Sequence, residues 1–185
     1  MANELNGKRV AFLVANEGIE QVELTSPWQA VQEAGGEPVL VAPEKGKAQA
    51  FKHLDRADTF PVDLQTSEAK VEDFDAVVLP GGVANPDRLR TDKAAVAFVA
   101  RFANAGKPVA AICHGPWTLV EAGVVRGKTL TSWPSLQTDV RNAGGAWQDT
   151  EVFTCRENGW TLITSRKPDD LPAFNDAAVK AFAAT

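Results

Sequence analysis

The chain has 185 residues and a formal net charge of −5, long enough for a sizeable core and too acidic for a general nucleic-acid binder or a basic membrane-surface protein. Two cysteines and two histidines argue against a disulfide framework and against a structural zinc site. No apolar run reaches membrane-spanning length and the first residues carry no signal-peptide core, so the chain reads as one soluble, cytoplasmic domain over residues 1–185.

Residues 8–15 predict a first strand, broken at 16–18. A helix from about residue 20 to 34 follows, with Val22, Leu24, Trp28 and Val31 as its apolar stripe and Gly35-Gly36 as its stop. Residues 38–42 are the second strand, completing a β-α-β start with a right-handed crossover. The first turn lacks G-x-G-x-x-G, and residues 16–20 are acidic where a phosphate would sit, so neither a dinucleotide nor a flavin is expected. Residues 45–64 alternate in short pieces and read as a small antiparallel excursion. His53 lies there and reads as an exposed or hydrogen-bonded strand histidine.

Residues 75–80 form the next buried strand and run into Gly81-Gly82. Two glycines after such a strand are either a simple turn or, by presenting bare N–H groups, half of an oxyanion hole; the N–H of His114 would be the other half. Residues 83–90 read as a loop or short turn. A helix spans 92–105, with Thr91 its candidate cap.

Residues 109–112 are a short apolar run of the kind that makes a buried parallel strand. The run stops at Cys113-His114-Gly115-Pro116, and Pro116 suits the first turn of a helix that ends at Gly123. Cys113 therefore sits on a strand-to-helix turn laid out like a nucleophile elbow, although the pattern is A-x-C-x-G and not G-x-S-x-G. A lone cysteine reads as a small buried hydrophobe. The adjacent histidine, the Gly-Pro and the strand-end position favour a nucleophile, with a thiolate helped by the helix N-terminus. Farther on, 128–131 is a short strand and 135–142 a short helix. Two strands, 151–156 and 160–164, flank Glu157-Asn158-Gly159 as a hairpin. Cys155 sits mid-strand and reads as structural. A linker, 167–172, leads into a last helix over 173–183. The pattern is α/β, a flavodoxin-like (Rossmann-like) and mostly parallel sheet sandwiched by helices, with the small antiparallel excursion.

Residues 14–23, Leu79-Pro80-Gly81-Gly82, residues 106–116, residues 123–127 and Thr131-Ser132-Trp133-Pro134 together resemble the PfpI family of the class I glutamine amidotransferase-like superfamily. The resemblance covers nearly the whole chain. It implies Cys113 as nucleophile, His114 as its catalytic neighbour, and an acidic partner donated by the adjacent subunit, here matched by Asp87 in a loop one residue longer than the family pattern. It implies that Glu23 is the buried carboxyl contacting the cysteine; such a carboxyl is pushed towards protonation and can donate to sulfur. Glu20 lies three residues earlier on the same helical face. Trp133 stands where close relatives often carry tyrosine, and the chain contains no tyrosine; Trp133 is either a pocket wall or core packing.

The implied function is cysteine-dependent hydrolysis of small carbonyl adducts (deglycase or glyoxalase-like) or of short peptides, in stress protection. It requires no cofactor and no metal, and no nucleic acid or membrane partner. The site lies at the interface of a homodimer or larger homo-oligomer. The competing reading is a redox-sensing or chaperone-type stress protein in which Cys113 is oxidised and does not catalyse.

Overall fold

The computed structural model describes residues 3–185. The first two residues lie outside the described residues. The chain opens with β1 (Arg9–Leu13), β2 (Glu17–Glu20), α1 (Gln21–Glu33) and β3 (Glu37–Ala42). There follow β4 (Lys47–Lys52), β5 (Asp55–Pro61), β6 (Leu64–Gln65), β7 (Ala76–Leu79), α2 (Ala84–Leu89), α3 (Lys93–Asn104) and β8 (Val109–Ile112). The C-terminal part contains α4 (Pro116–Glu121), β9 (Thr129–Leu130), α5 (Gln137–Asn142), β10 (Ala146–Trp147), β11 (Val152–Cys155), β12 (Leu162–Ser165) and α6 (Leu171–Ala183).

The main sheet has the order β11-β12-β8-β7-β1-β3-β6. Its pairs are parallel except β11 with β12. Strands β7 and β8 are apolar at every position, and β1 at every position after Arg9, because both faces are covered. Successive side chains of β1 alternate between two cores: Val10 and Phe12 pack with Leu24 and Val31 of α1 and Phe174 and Phe182 of α6, while Ala11 and Leu13 pack with Phe98 and Phe102 of α3 and Leu119 of α4. This is the α/β sandwich expected from the sequence, and the antiparallel excursion is the β4–β5 pair. Among the described residues no helix is long and apolar enough to cross a membrane.

Several local readings are corrected. Residues 17–20 are not a break but a strand, β2, which pairs parallel with β4 across a bulge between Glu17 and Ile19 and makes a second, three-stranded sheet. Residues 84–89 are helical and not a loop. The cap of α3 is Asp92 and not Thr91: the Asp92 carboxylate accepts the Ala95 N–H at 2.7 Å, while the Thr91 hydroxyl donates to the Arg88 carbonyl behind it. The last helix starts at Leu171, with Pro172 in its first turn.

β1, β7 and β8 run parallel, so their C-terminal ends reach one edge of the sheet. Residues 14–20, 80–82 and 113–115 therefore meet there, which is where folds of this kind place their sites.

Candidate active site

Cys113 leaves β8 with φ at +61°, a left-handed conformation that costs a non-glycine residue roughly 1–2 kcal/mol. The turn is clamped on both sides. The Cys113 N–H donates to the Ser165 carbonyl at 3.0 Å, and its carbonyl accepts the Trp133 N–H at 2.8 Å. β12 and the residue after Ser132 thereby fix the elbow that the sequence pattern anticipates.

The thiol is 6 % exposed and lies at the floor of a cavity of about 560 Å³. Its Sγ is 3.1 Å from Nδ1 of His114. The imidazole is held between two indoles, stacked on Trp133 (5.7 Å between centroids, 22° between planes) and edge-on to Trp117 (5.2 Å). Trp117 is itself anchored by its indole N–H, which donates to Asp139 at 2.8 Å. Nδ1 is the nitrogen facing sulfur, so a neutral ring that accepts there carries its proton on Nε2. Nε2 makes no hydrogen bond among the described residues.

On the other side of the thiol stands Glu23, fully buried in α1. Its Oε2 accepts the Gly81 N–H at 2.8 Å, and Oε1 has no hydrogen-bond partner among the described residues. Gly81 is squeezed between these groups: a Cβ there would come 2.4 Å from Glu23 Oε2 and 2.7 Å from the Cys113 Cβ. Only glycine lets the strand end pass between the carboxyl and the thiol.

Burial sets the charges. It pushes the Glu23 carboxyl up to about 8, so this group is protonated at neutral pH and can donate to sulfur. Burial lowers His114 to about 4, leaving a neutral imidazole. It also raises the Cys113 thiol, with Glu23 adding to the rise, and the N–H groups of Gly82 and His114 pull the other way without prevailing. Burial thus works against the thiolate expected at the helix N-terminus. α4 starts three residues beyond Cys113 and has six residues. The resting pair is a neutral thiol beside a neutral base.

The remaining sequence candidates also line the cavity. Gly82 lies on the cavity wall with Cys113. Trp133 is the half-exposed wall that stacks on His114. Asp87, in the first turn of α2, is exposed, and its carboxylate makes no hydrogen bond or ion pair among the described residues. Glu20 accepts the backbone N–H of His53 at 3.0 Å, so this carboxylate fastens the turn between β4 and β5 over the cavity. His53 thereby reaches the cavity mouth, where sequence reasoning saw nothing to make a site. The mouth is tied further by Glu17, which pairs with Arg56 at 2.9 Å and Arg88 at 3.0 Å. No local motif signals this closure, because the partners come from β2, β5 and α2. Cys155 lies elsewhere, its sulfur accepting the Thr129 N–H at 3.4 Å. Among the described residues no three His, Cys, Asp or Glu side chains are grouped to hold a metal ion.

With this geometry in place, comparison with known proteins is informative. A profile of the DJ-1/PfpI family matches residues 8–181. The chain is similar to "Protein/nucleic acid deglycase 2" of Escherichia coli, 42 % identical over 173 residues, covering 94 % of this chain and 96 % of that one. It is similar to "General stress protein 18" of Bacillus subtilis, 41 % identical over 169 residues, covering 91 % and 94 %. Among solved structures, a two-domain protein of Anabaena variabilis with DJ-1/ThiJ/PfpI-like and ferritin-like domains superposes with a TM-score of 0.85 at 36 % identity. That match covers 94 % of this chain and 47 % of the two-domain chain.

Proposed function

This chain belongs to the DJ-1/PfpI family, and from that premise we propose that it is a cysteine hydrolase whose nucleophile is Cys113. The observation that carries the proposal is the 3.1 Å approach of Cys113 Sγ to Nδ1 of a neutral His114 in a cavity that Gly82 also lines. A thiol held neutral by burial needs a base at the moment of attack, and a neutral imidazole at that distance supplies one.

On an acyl carbon that bears an amine, the amide of a short peptide, the steps are these. The S–H proton passes to His114 Nδ1 while sulfur bonds to carbon and the carbonyl π pair moves to oxygen. The N–H groups of Gly82 and His114 stabilise that oxyanion. Collapse breaks the C–N bond, and the imidazolium gives its proton to the departing amine. Water then adds to the thioester, losing a proton to His114, and the C–S bond breaks to return the thiol. Glu23, protonated, donates to sulfur throughout. The imidazolium needs an acceptor for Nε2–H, and this is Asp87 of an adjacent subunit, which makes the working unit a homodimer or larger.

The cavity favours small substrates. With the thiol 6 % exposed, a folded protein chain cannot bring its backbone to sulfur, whereas a small carbonyl adduct or a short peptide can. Deglycase-type chemistry on small carbonyl adducts is the leading assignment, supported by the name of the Escherichia coli relative; short peptides are the second substrate class. A stress-protective role accords with the name of the Bacillus subtilis relative.

The test is turnover of carbonyl adducts and short peptides by Cys113→Ser and Cys155→Ser. Loss of activity in the first with retention in the second is expected. Equal loss in both overturns the assignment. Absence of turnover in the parent chain, together with selective gain of mass at Cys113 in peroxide, turns the reading to an oxidation sensor, whose sulfinate the Glu23 carboxyl would stabilise.

A further inference from the structure

The turn after β7 gives the Gly81 N–H to Glu23 at 2.8 Å and brings Gly82, the next residue, to the wall of the cavity that holds Cys113. A planar trans peptide points its N–H and its carbonyl in opposite directions, so each N–H is aimed by whatever holds the carbonyl of the preceding residue. Both of those carbonyls are held by one side chain. The amide nitrogen of Asn85 donates to the Pro80 carbonyl at 2.9 Å and to the Gly81 carbonyl at 3.0 Å. Its oxygen accepts the Ala15 N–H at 2.7 Å, beyond the end of β1. The Glu20 N–H adds a longer bond, 3.4 Å, to the Gly81 carbonyl.

Asn85 is fully buried. It does not line the cavity, and it is the second residue of α2. Its amide has only one workable orientation, because the oxygen must meet an N–H and the nitrogen must meet two carbonyls. We infer that Asn85 is a positioning residue, a fork behind the Pro80-Gly81-Gly82 turn that aims one N–H at Glu23 and the other at the reacting sulfur and the oxyanion. The inference rests on the hydrolase reading of the Cys113 cavity. Its consequence is that the first helix residues, through Asn85, couple the packing of α2 against β1 and β7 to the oxyanion donors.

Asn85→Asp keeps the shape and the acceptor for Ala15 but turns an oxygen towards the two carbonyls, so the fork opens. The expected result is a kcat lower by roughly tenfold to a hundredfold with KM within about twofold, less than the loss of a whole oxyanion donor. Alkylation of Cys113 by iodoacetamide at pH 8 should slow by about tenfold, and its pH profile should move upward as the thiol loses a donor. A merely structural role lowers the melting temperature and leaves the alkylation profile, measured well below melting, where it was. A folded variant with unchanged kcat and unchanged profile overturns the inference.

Asn85→Ser, which retains one donor, should lie between the two. If neither variant folds, the parent chain decides: the side-chain amide protons of Asn85 should exchange with solvent as slowly as core amides, and exchange at the rate of an exposed asparagine overturns the inference. The alkylation arm needs no substrate, so a parent chain that turns nothing over defeats the hydrolase reading while the role of Asn85 is still decided.

Discussion

Glu23 is the residue whose environment makes the sharpest prediction. Its carboxyl ionises near 4.5 when free and near 8 in the folded chain. An acid whose pKa is raised by folding binds its proton more tightly in the native state, so the protein is most stable below 4.5 on this account and loses stability as the pH climbs through 8. His114 has the opposite sign: its lowered value favours the fold above 6.5 and withdraws that support as the pH falls towards 4. The interval from pH 6.5 to 8 therefore isolates Glu23, and the loss across it is about 2 kcal/mol at 1.36 kcal/mol per unit. Urea unfolding at pH 6.5 and 8 should show this fall in the parent chain and little of it in Glu23→Gln, whose amide still accepts the Gly81 N–H. An equally steep fall in both proteins would remove Glu23 as the cause. The grouping of Cys113, His114 and Gly82 was legible in the sequence, because strand-end motifs on parallel strands must meet at one sheet edge; Glu23, on α1, came only through the family resemblance. The charge state was not. A helix N-terminus is visible in a sequence, but the depth at which a thiol is desolvated depends on elements far away in the chain.

Between elements, β2 and α2 pack closely at Gly18. Gly18 sits at φ +101°, and a Cβ there would come 2.6 Å from the Ala84 Cβ and 2.7 Å from the Asn85 backbone nitrogen. Gly18→Ala combines an unfavourable backbone angle with that collision. It should cost about 2–3 kcal/mol, read as a melting temperature several degrees lower, and it should reduce turnover because α2 carries Asp87. Unchanged melting would show that β2 and α2 can separate at no cost. Reading this contact from sequence is not feasible, since a glycine after a strand signals only a break. The same limit explains the connection between β11 and β12. Asn158-Gly159 does sit at positive φ between antiparallel strands, as its composition implies, but the link is longer than a tight hairpin. The reason is Lys128, fully buried, whose ammonium lies 3.9 Å from the Trp160 ring centroid and donates to the Glu157 and Trp160 carbonyls. A buried cation from 30 residues upstream on β9's approach captures the loop, and nothing local in residues 156–161 announces it.

For the whole molecule, the unresolved acceptor at His114 and the surface around the cavity lead to one prediction. Leu54 is 94 % exposed at the β4–β5 turn, Val83 57 % and Trp133 39 %, and all three line the cavity mouth that also holds Asp87. An apolar rim around an incomplete site is what an interface between copies would cover. Under the proposed assembly, Leu54→Asp disturbs no core packing and places a charge on the rim. Its sedimentation profile should shift towards monomer at micromolar concentration, with unfolding unchanged and kcat reduced. Asp87→Asn should leave the assembly as it is and lower kcat, because the imidazolium loses a charged acceptor but not the neighbour that carries it. The two variants separate assembly from chemistry. A monomeric Leu54→Asp protein with full kcat would show that His114 finds its acceptor within one chain, and the cross-subunit role of Asp87 would fall. An assembled and inactive Asp87→Asn protein would instead place that carboxylate in the reaction and leave only the identity of the donating subunit to be read, by mixing it with assembled but inactive Cys113→Ser chains: in mixed dimers a Cys113-bearing subunit can borrow Asp87 from its neighbour, and activity should return.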